Sequence, residues 1–213
     1  MKNDCVFCDR TQFEERLISE NQDFYVIATL GQITNGGYTL LFPKNHVPCL
    51  GAADRGLTSE MIIAAKKICR ALSLQYQHSD CATPYPVTLF EHGIVGQTIK
   101  HAHLHFLPTV IDLTPRIRAD FPTAEIEELQ YAAHLQELYR KRQEPYLYWS
   151  GISGKAMVLW NPPAPLQYLR TVAAELLGRP ERANWRKMDP ELDKQLWTET
   201  VARLKPYFSR LEK

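Results

Sequence analysis

Between residues 101 and 107 the chain alternates polar and apolar positions without a break: His-Ala-His-Leu-His-Phe-Leu. A period of two marks a strand, with Ala102, Leu104 and Phe106 entering a core while His101, His103 and His105 leave the opposite face. At roughly 3.3 Å rise per residue, alternate imidazoles would stand about 6.6 Å apart along one line. The apolar runs 24–27, 39–42 and 87–90 read as further strands, and Asn35-Gly36-Gly37 supplies turn chemistry between the first two. After Thr58 the period changes: Met61, Ile62, Ala65, Ile68, Cys69, Leu72 and Tyr76 recur every three or four residues, predicting a helix capped by Thr58. Pro84 and Pro86 close the loop that follows it. Strands outnumber helices and are joined by short connections, which predicts an α+β fold with an antiparallel sheet and flanking helices.

The second half reads differently. Thr123, with Glu125, Glu127 and Glu128 behind it and Lys141-Arg142 downstream, predicts a helix with acid at its positive end. Residues 146–149 and 157–160 flank Gly151 and Gly154 as a hairpin. Pro165 opens and Gly178 closes another helix, and Asp189-Pro190 begins a last one with Leu192, Leu196, Trp197, Val201 and Leu204 on one face. There is no repeat, low-complexity tract or flexible linker. The expected organisation is a domain over 1–110 followed by a folded, mainly helical extension over 111–213 containing the hairpin, with the break in 108–122.

Composition narrows the classes. Lys and Arg number 25 against 24 Asp and Glu, a formal charge of +1, so bulk electrostatics advertises neither nucleic acid nor a membrane. No apolar run approaches the roughly 20 residues of a membrane span, and residues 1–10 lack the apolar stretch of a secretory signal. Five cysteines are too few and odd in number for a disulfide framework. The expected compartment is the cytoplasm.

Candidate chemistry concentrates at the alternating histidines, three of the chain's seven. Packing does not explain them, because Val or Thr would suit a strand better. One reading makes the middle imidazole a nucleophile, since a neutral ring nitrogen attacks phosphorus near pH 7 without a helper base. The upstream run Glu91-His92-Gly93-Ile94-Val95-Gly96-Gln97-Thr98 then offers close backbone approach, an amide and a hydroxyl to developing phosphate charge. Another reading has two or three of the imidazoles hold a catalytic zinc. His92 is either a substrate contact or a solvated loop residue. Cys5-x-x-Cys8 is a metal half-site, a redox pair or chance, and lacks the strand-to-helix context of a thioredoxin-like motif. Cys69 belongs to the helix's apolar face, Cys49 and Cys81 have no partner by spacing, and His78 and His134 read as helix-end or surface residues. The aromatic residues Tyr146, Tyr148, Trp149 and Trp160 are core or base-stacking residues. Arg116 and Arg118 either reach a polyphosphate or are solvated.

The segment 96–108 resembles the signature of the histidine triad (HIT) superfamily, three histidines spaced by apolar residues. Gly37-Tyr38-Thr39-Leu40-Leu41-Phe42-Pro43-Lys44-Asn45-His46 is similar to that family's Gly-His-x-Leu…Pro-Lys-x-His block, with Tyr38 where many relatives carry histidine. The resemblance implies a HIT-like antiparallel sheet with a nucleotide pocket. It further implies attack by His103 on the α-phosphate of a purine nucleotide conjugate, a dinucleoside polyphosphate or nucleoside phosphoramidate, through a nucleotidyl-histidine. His101 and His105 would bind and orient the substrate, and Gln97 and Thr98 would contact phosphate. Relatives with the amino-terminal cysteine pair imply a structural zinc held by Cys5, Cys8, His46 and His101. Small proteins of the family are often dimers, so a homodimer is expected unless the extension occupies that interface. Residues 165–170 and 182–186 loosely resemble the carboxy-terminal region of CwfJ-like proteins, which carries the alternative of a non-catalytic, RNA-processing-associated adaptor that binds nucleotide or RNA.

Overall fold

A computed structural model describes residues 5–76, 87–131, 133–150 and 154–211. His78, Cys81, Pro84, Pro86 and Gly151, which figure in the sequence reading, lie outside the described residues. Among the described residues eight strands form one sheet: β1 (Leu17–Glu20), β2 (Phe24–Ala28), β3 (Thr39–Pro43), β4 (Thr88–Gly93), β5 (Leu104–Leu107), β6 (Ile126–Glu128), β7 (Tyr146–Ser150) and β8 (Ala156–Trp160). Their spatial order is β1-β2-β3-β5-β4-β7-β8-β6, with every neighbouring pair antiparallel. The fold is therefore the α+β antiparallel architecture the pattern predicts, and the carboxy-terminal hairpin β7–β8 continues the sheet through β4.

Five helices pack on this sheet: α1 (Arg55–Tyr76), α2 (Thr114–Asp120), α3 (His134–Arg142), α4 (Tyr168–Leu176) and α5 (Pro190–Leu211). On one face Leu104 and Phe106 meet Ile68 and Leu72 of α1 and Leu204 and Phe208 of α5. On the other, Phe90, Leu147 and Trp149 meet Leu169, Val172 and Ala173 of α4. Burying each such large side chain contributes about 1.5–3 kcal/mol. Tyr146 and Trp149 are fully buried in these layers, so the core account of the hairpin aromatics holds for them. No helix among the described residues is long and apolar enough to cross a membrane.

Several elements depart from the sequence reading. Helix α1 starts earlier than Thr58, because Asp54 accepts the Leu57 N–H at 2.8 Å and caps the helix, while the Thr58 hydroxyl donates to the Asp54 carbonyl from inside the first turn. The helix expected from Thr123 splits into β6 and α3. Cross-strand partners override helix propensity there: Ile126, Glu127 and Glu128 pair with Leu159, Val158 and Met157, and Glu127 accepts from Trp160 while Glu128 pairs with Lys155. Helix α4 begins at Tyr168, not Pro165, behind Gln167 in the left-handed region. The strand read over 101–107 shortens to β5: continuing the register would set Phe42 opposite His103 and Pro43, which has no N–H to give, opposite Ala102, and Ala102 donates to the Val47 carbonyl instead.

Glu91 on β4 is fully buried; it accepts from the Tyr146 hydroxyl at 2.6 Å and the Leu50 N–H at 2.8 Å, and burial pushes its carboxyl up to about 8 from the ordinary 4.5. Between those values the folded chain keeps a proton that the unfolded chain releases, so stability falls as pH rises. Urea unfolding of the protein should show a loss on the order of a few kcal/mol between about pH 5 and pH 8, and Glu91→Gln should flatten that slope. Equal slopes in both proteins would contradict this assignment.

Candidate active site

The histidine run reaches two places rather than one face. His103 and His105 share a cleft of about 260 Å³, whose lining also includes Phe7, Leu40, Ile99, Thr29 and Thr98. Their rings lie 4.8 Å apart, nearer than an ideal strand would set them. His101 turns away and joins Cys5, Cys8 and His46 in a separate cluster.

Hydrogen bonds fix the tautomer of each ring. His103 Nδ1 lies 2.6 Å from the His101 carbonyl, which only accepts, so Nδ1 carries the proton and Nε2 keeps its lone pair. Burial lowers the His103 pKa and the carbonyl bond opposes it, so the ring is neutral near pH 7. His105 Nδ1 lies 2.7 Å from the Tyr38 hydroxyl. Burial pushes that phenol up to about 12, so it stays protonated, and the neighbouring Arg170 guanidinium, a donor only, engages its oxygen. The hydroxyl therefore donates to Nδ1, leaving His105 Nε2–H, a buried group with no protein partner, as a donor. Phe90 stacks on this ring at 4.4 Å and holds its plane.

His92 corrects the solvated-loop reading. It sits on β4, almost fully buried, lines the cleft, and accepts the Leu169 N–H at 3.0 Å through Nε2. Burial lowers its pKa to about 3. Alternation through Phe90 on the same strand would have placed it on the histidine face. Of the predicted phosphate contacts, Thr98 lines the cleft and Gln97 does not, because its amide donates to the Pro48 carbonyl at 3.0 Å. His101, expected also to orient substrate, is likewise absent from the cleft lining, its Nε2 donating to the Pro43 carbonyl at 2.8 Å. Arg116 pairs with Asp120 and Glu175 away from the cleft. Sequence reasoning did not assign Arg16, Gln167, Arg170 or Trp185 to the site, yet all four line it. The last three lie in the segments 165–170 and 182–186 compared above with CwfJ-like proteins, and only tertiary contact brings them to the histidines.

The Cys/His cluster has the dimensions of a metal centre. Cys5 Sγ and Cys8 Sγ stand 3.4 and 3.6 Å from His101 Nδ1, and Cys8 Sγ stands 3.3 Å from His46 Nδ1. A tetrahedral ion with metal–sulfur bonds near 2.3 Å and metal–nitrogen bonds near 2.05 Å spaces such ligands about 3.5 Å apart. The donor set of thiolates and neutral imidazoles suits zinc-like ions, and the Pro43 carbonyl fixes His101 with its Nδ1 lone pair toward the thiols.

Residues 10–110 match the model of the HIT domain. The chain is 30% identical over 105 residues to an uncharacterized HIT-like protein of Mycoplasma genitalium, covering 49% of this chain and 72% of that one. It is 31% identical over 117 residues to the nitrilase and fragile histidine triad fusion protein NitFhit of Caenorhabditis elegans, covering 55% of this chain and 24% of that one, so it spans only about a quarter of that relative. A zinc-bound histidine triad family protein from Mycobacterium smegmatis superposes with a TM-score of 0.42 and 22% identity, covering 66% of this chain and 94% of that one.

Exchange of Tyr38 tests the tautomer assignment directly. Tyr38→Phe removes the proton donor to His105 and should change the protonation pattern of its ring nitrogens in long-range proton–nitrogen spectra, while Tyr38→His restores a ring donor and recovers part of that pattern. An unchanged His105 pattern in Tyr38→Phe would contradict the assigned bond.

Proposed function

The chain belongs to the histidine triad family, and from that footing we propose that it is a nucleotidyl hydrolase or transferase acting on purine nucleotide conjugates. The observation that carries the reading is the His103 Nδ1–H bond to the His101 carbonyl, which leaves Nε2 as a lone-pair nucleophile in a cleft. Nε2 attacks the α-phosphorus, the bond from phosphorus to the leaving group breaks, and the leaving group departs with the electron pair. The ring is then a cation bonded to phosphorus, and the carbonyl at Nδ1–H stabilises it. In this reading His105 Nε2–H and the Thr98 hydroxyl donate to the phosphate oxygens as charge builds. Water, or another acceptor, attacks phosphorus from the vacated side, the phosphorus–nitrogen bond breaks, Nε2 regains its lone pair, and the acceptor's proton passes to solvent.

Zinc is the metal we assign to Cys5, Cys8, His46 and His101, as a structural ion with all four positions filled by protein. Bound there, it would staple the amino-terminal turn to the end of β3. Because His101 also provides the carbonyl that orients His103, the staple and the nucleophile share one residue.

His103→Ala should keep its fold by circular dichroism, form no covalent nucleotidyl adduct by mass spectrometry, and lose turnover by on the order of 10³-fold or more. Turnover near that of the unsubstituted protein would refute the nucleophile. Elemental analysis should find stoichiometric zinc in the purified protein and little in Cys5→Ser or Cys8→Ser, with a lower melting temperature in both. A metal-free wild-type protein would refute the zinc assignment.

A further inference from the structure

The cleft is not built by the histidine triad segment alone. Gln167, Arg170 and Trp185, all beyond residue 110, line it beside His103 and His105. Their placement is rigid. The Gln167 N–H donates to the Gly96 carbonyl at 2.8 Å, and Gly96 leaves no room for a side chain, since a Cβ there would meet the Pro165 carbonyl at 2.7 Å. Arg170 is 4% exposed; its Nε donates to the Ala183 carbonyl at 2.7 Å and its Nη2 to the Gly31 and Arg182 carbonyls. These are neutral acceptors, and among the described residues neither Arg170 nor the cleft's other guanidinium, Arg16, makes an ion pair. Burial lowers the Arg16 pKa against the opposing charges of Asp193 and Glu15, and Asp193 is itself hydrogen-bonded to the Gly31 and Gln32 N–H groups. No Asp or Glu lines the cleft among the described residues. A buried cation without a counter-anion is costly. The Gln167 amide oxygen is unpartnered too: Oε1 is buried without a hydrogen bond, and turning the amide about its Cγ–Cδ bond puts the N–H2 donors in that place.

Resting on the catalytic reading above, we propose that the carboxy-terminal segment builds an anion subsite from Gln167 and Arg170, and that the substrate's leaving group is therefore a phosphate chain rather than an amine. The layout sets the direction. Phe7 lies 5.3 Å from the His103 ring, His105 follows at 4.8 Å, and Tyr38, with Arg170 over its ring at 5.4 Å, lies beyond. A base against Phe7 and Leu40, with its α-phosphorus at His103, sends the remainder of the molecule toward Arg170 and Gln167. Leaving-group chemistry agrees. When the phosphorus–oxygen bond breaks, a phosphate chain departs as an anion and needs no proton, and two side-chain donors receive its charge. An amine must gain a proton as the phosphorus–nitrogen bond breaks, and the cleft lacks a carboxylic acid to give one.

Kinetics on diadenosine triphosphate and adenosine 5′-phosphoramidate, with calorimetric titration of pyrophosphate, test the subsite. Wild type should favour the polyphosphate in kcat/KM by about tenfold or more, and Gln167→Ala should lose about fivefold on it while staying within about twofold on the phosphoramidate. Arg170→Gln should lose more on the polyphosphate, and Arg116→Gln, outside the cleft, should match wild type on both. His103→Ala should still bind pyrophosphate, and adding Gln167→Ala should weaken that binding about fivefold. Equal losses on both substrates, a preference for the phosphoramidate, or pyrophosphate binding indifferent to Gln167 would overturn the proposal. Pyrophosphate binding that depends on Gln167 in a protein that turns over neither nucleotide would uphold the subsite and sink the catalytic reading instead.

Discussion

A single 2.6 Å hydrogen bond, from His103 Nδ1–H to the carbonyl of the residue two positions earlier, decides what the cleft can do. It selects one tautomer, and with it a ring nitrogen whose lone pair faces open space. The carbonyl has to be held still for this to work. His101 holds it: Nε2 is tied to Pro43 at the end of β3, and Nδ1 faces the two amino-terminal thiols. The ladder between β3 and β5 ends at Leu41 and Leu104, short of Pro43, which has no N–H to give, and beyond that end His101 and His103 diverge into different sites. A local backbone irregularity thus separates the cleft histidine His103 from the Cys/His cluster in one short motif.

Much of this was legible in the chain. Period-two alternation located β5 and the buried face of Leu104 and Phe106, and three-to-four periodicity located α1 and α5. Cys5, Cys8, His46 and His101 were named from family resemblance, and the fold brings them together. What escaped depended on contact across the molecule. The acidic stretch after Thr123 has helical character locally, yet Glu127 and Glu128 find partners on β8 and its hairpin turn and take the strand. Gln97 looked like a phosphate ligand by position, but a carbonyl at Pro48 claims its amide. Tyr38 stood out only as a departure from the family pattern; its role as the proton donor to His105 emerges from the sheet, which sets Leu40 opposite His105 and so brings the start of β3 beside that ring.

The carboxy-terminal half was the least readable, and it supplies Gln167, Arg170 and Trp185 to the cleft. Its hairpin extends the sheet through β4, so Phe90 and His92 become interior rather than edge positions, and α4 covers the face from which His103 and His105 project. Arg170 follows directly from that covering. A guanidinium bonded to carbonyls from both halves of the chain links the tail to the loop after β2, and its effect reaches His105 through Tyr38. No local pattern announces such a residue, because its partners are main-chain atoms far away in sequence.

Long-range proton–nitrogen correlation spectra of the histidine side chains at neutral pH read directly which nitrogen of the His103 ring is protonated. His103 is expected to give a protonated Nδ1 and an unprotonated, pyridine-like Nε2. A signal showing Nε2 protonated, or both nitrogens carrying protons, would contradict it.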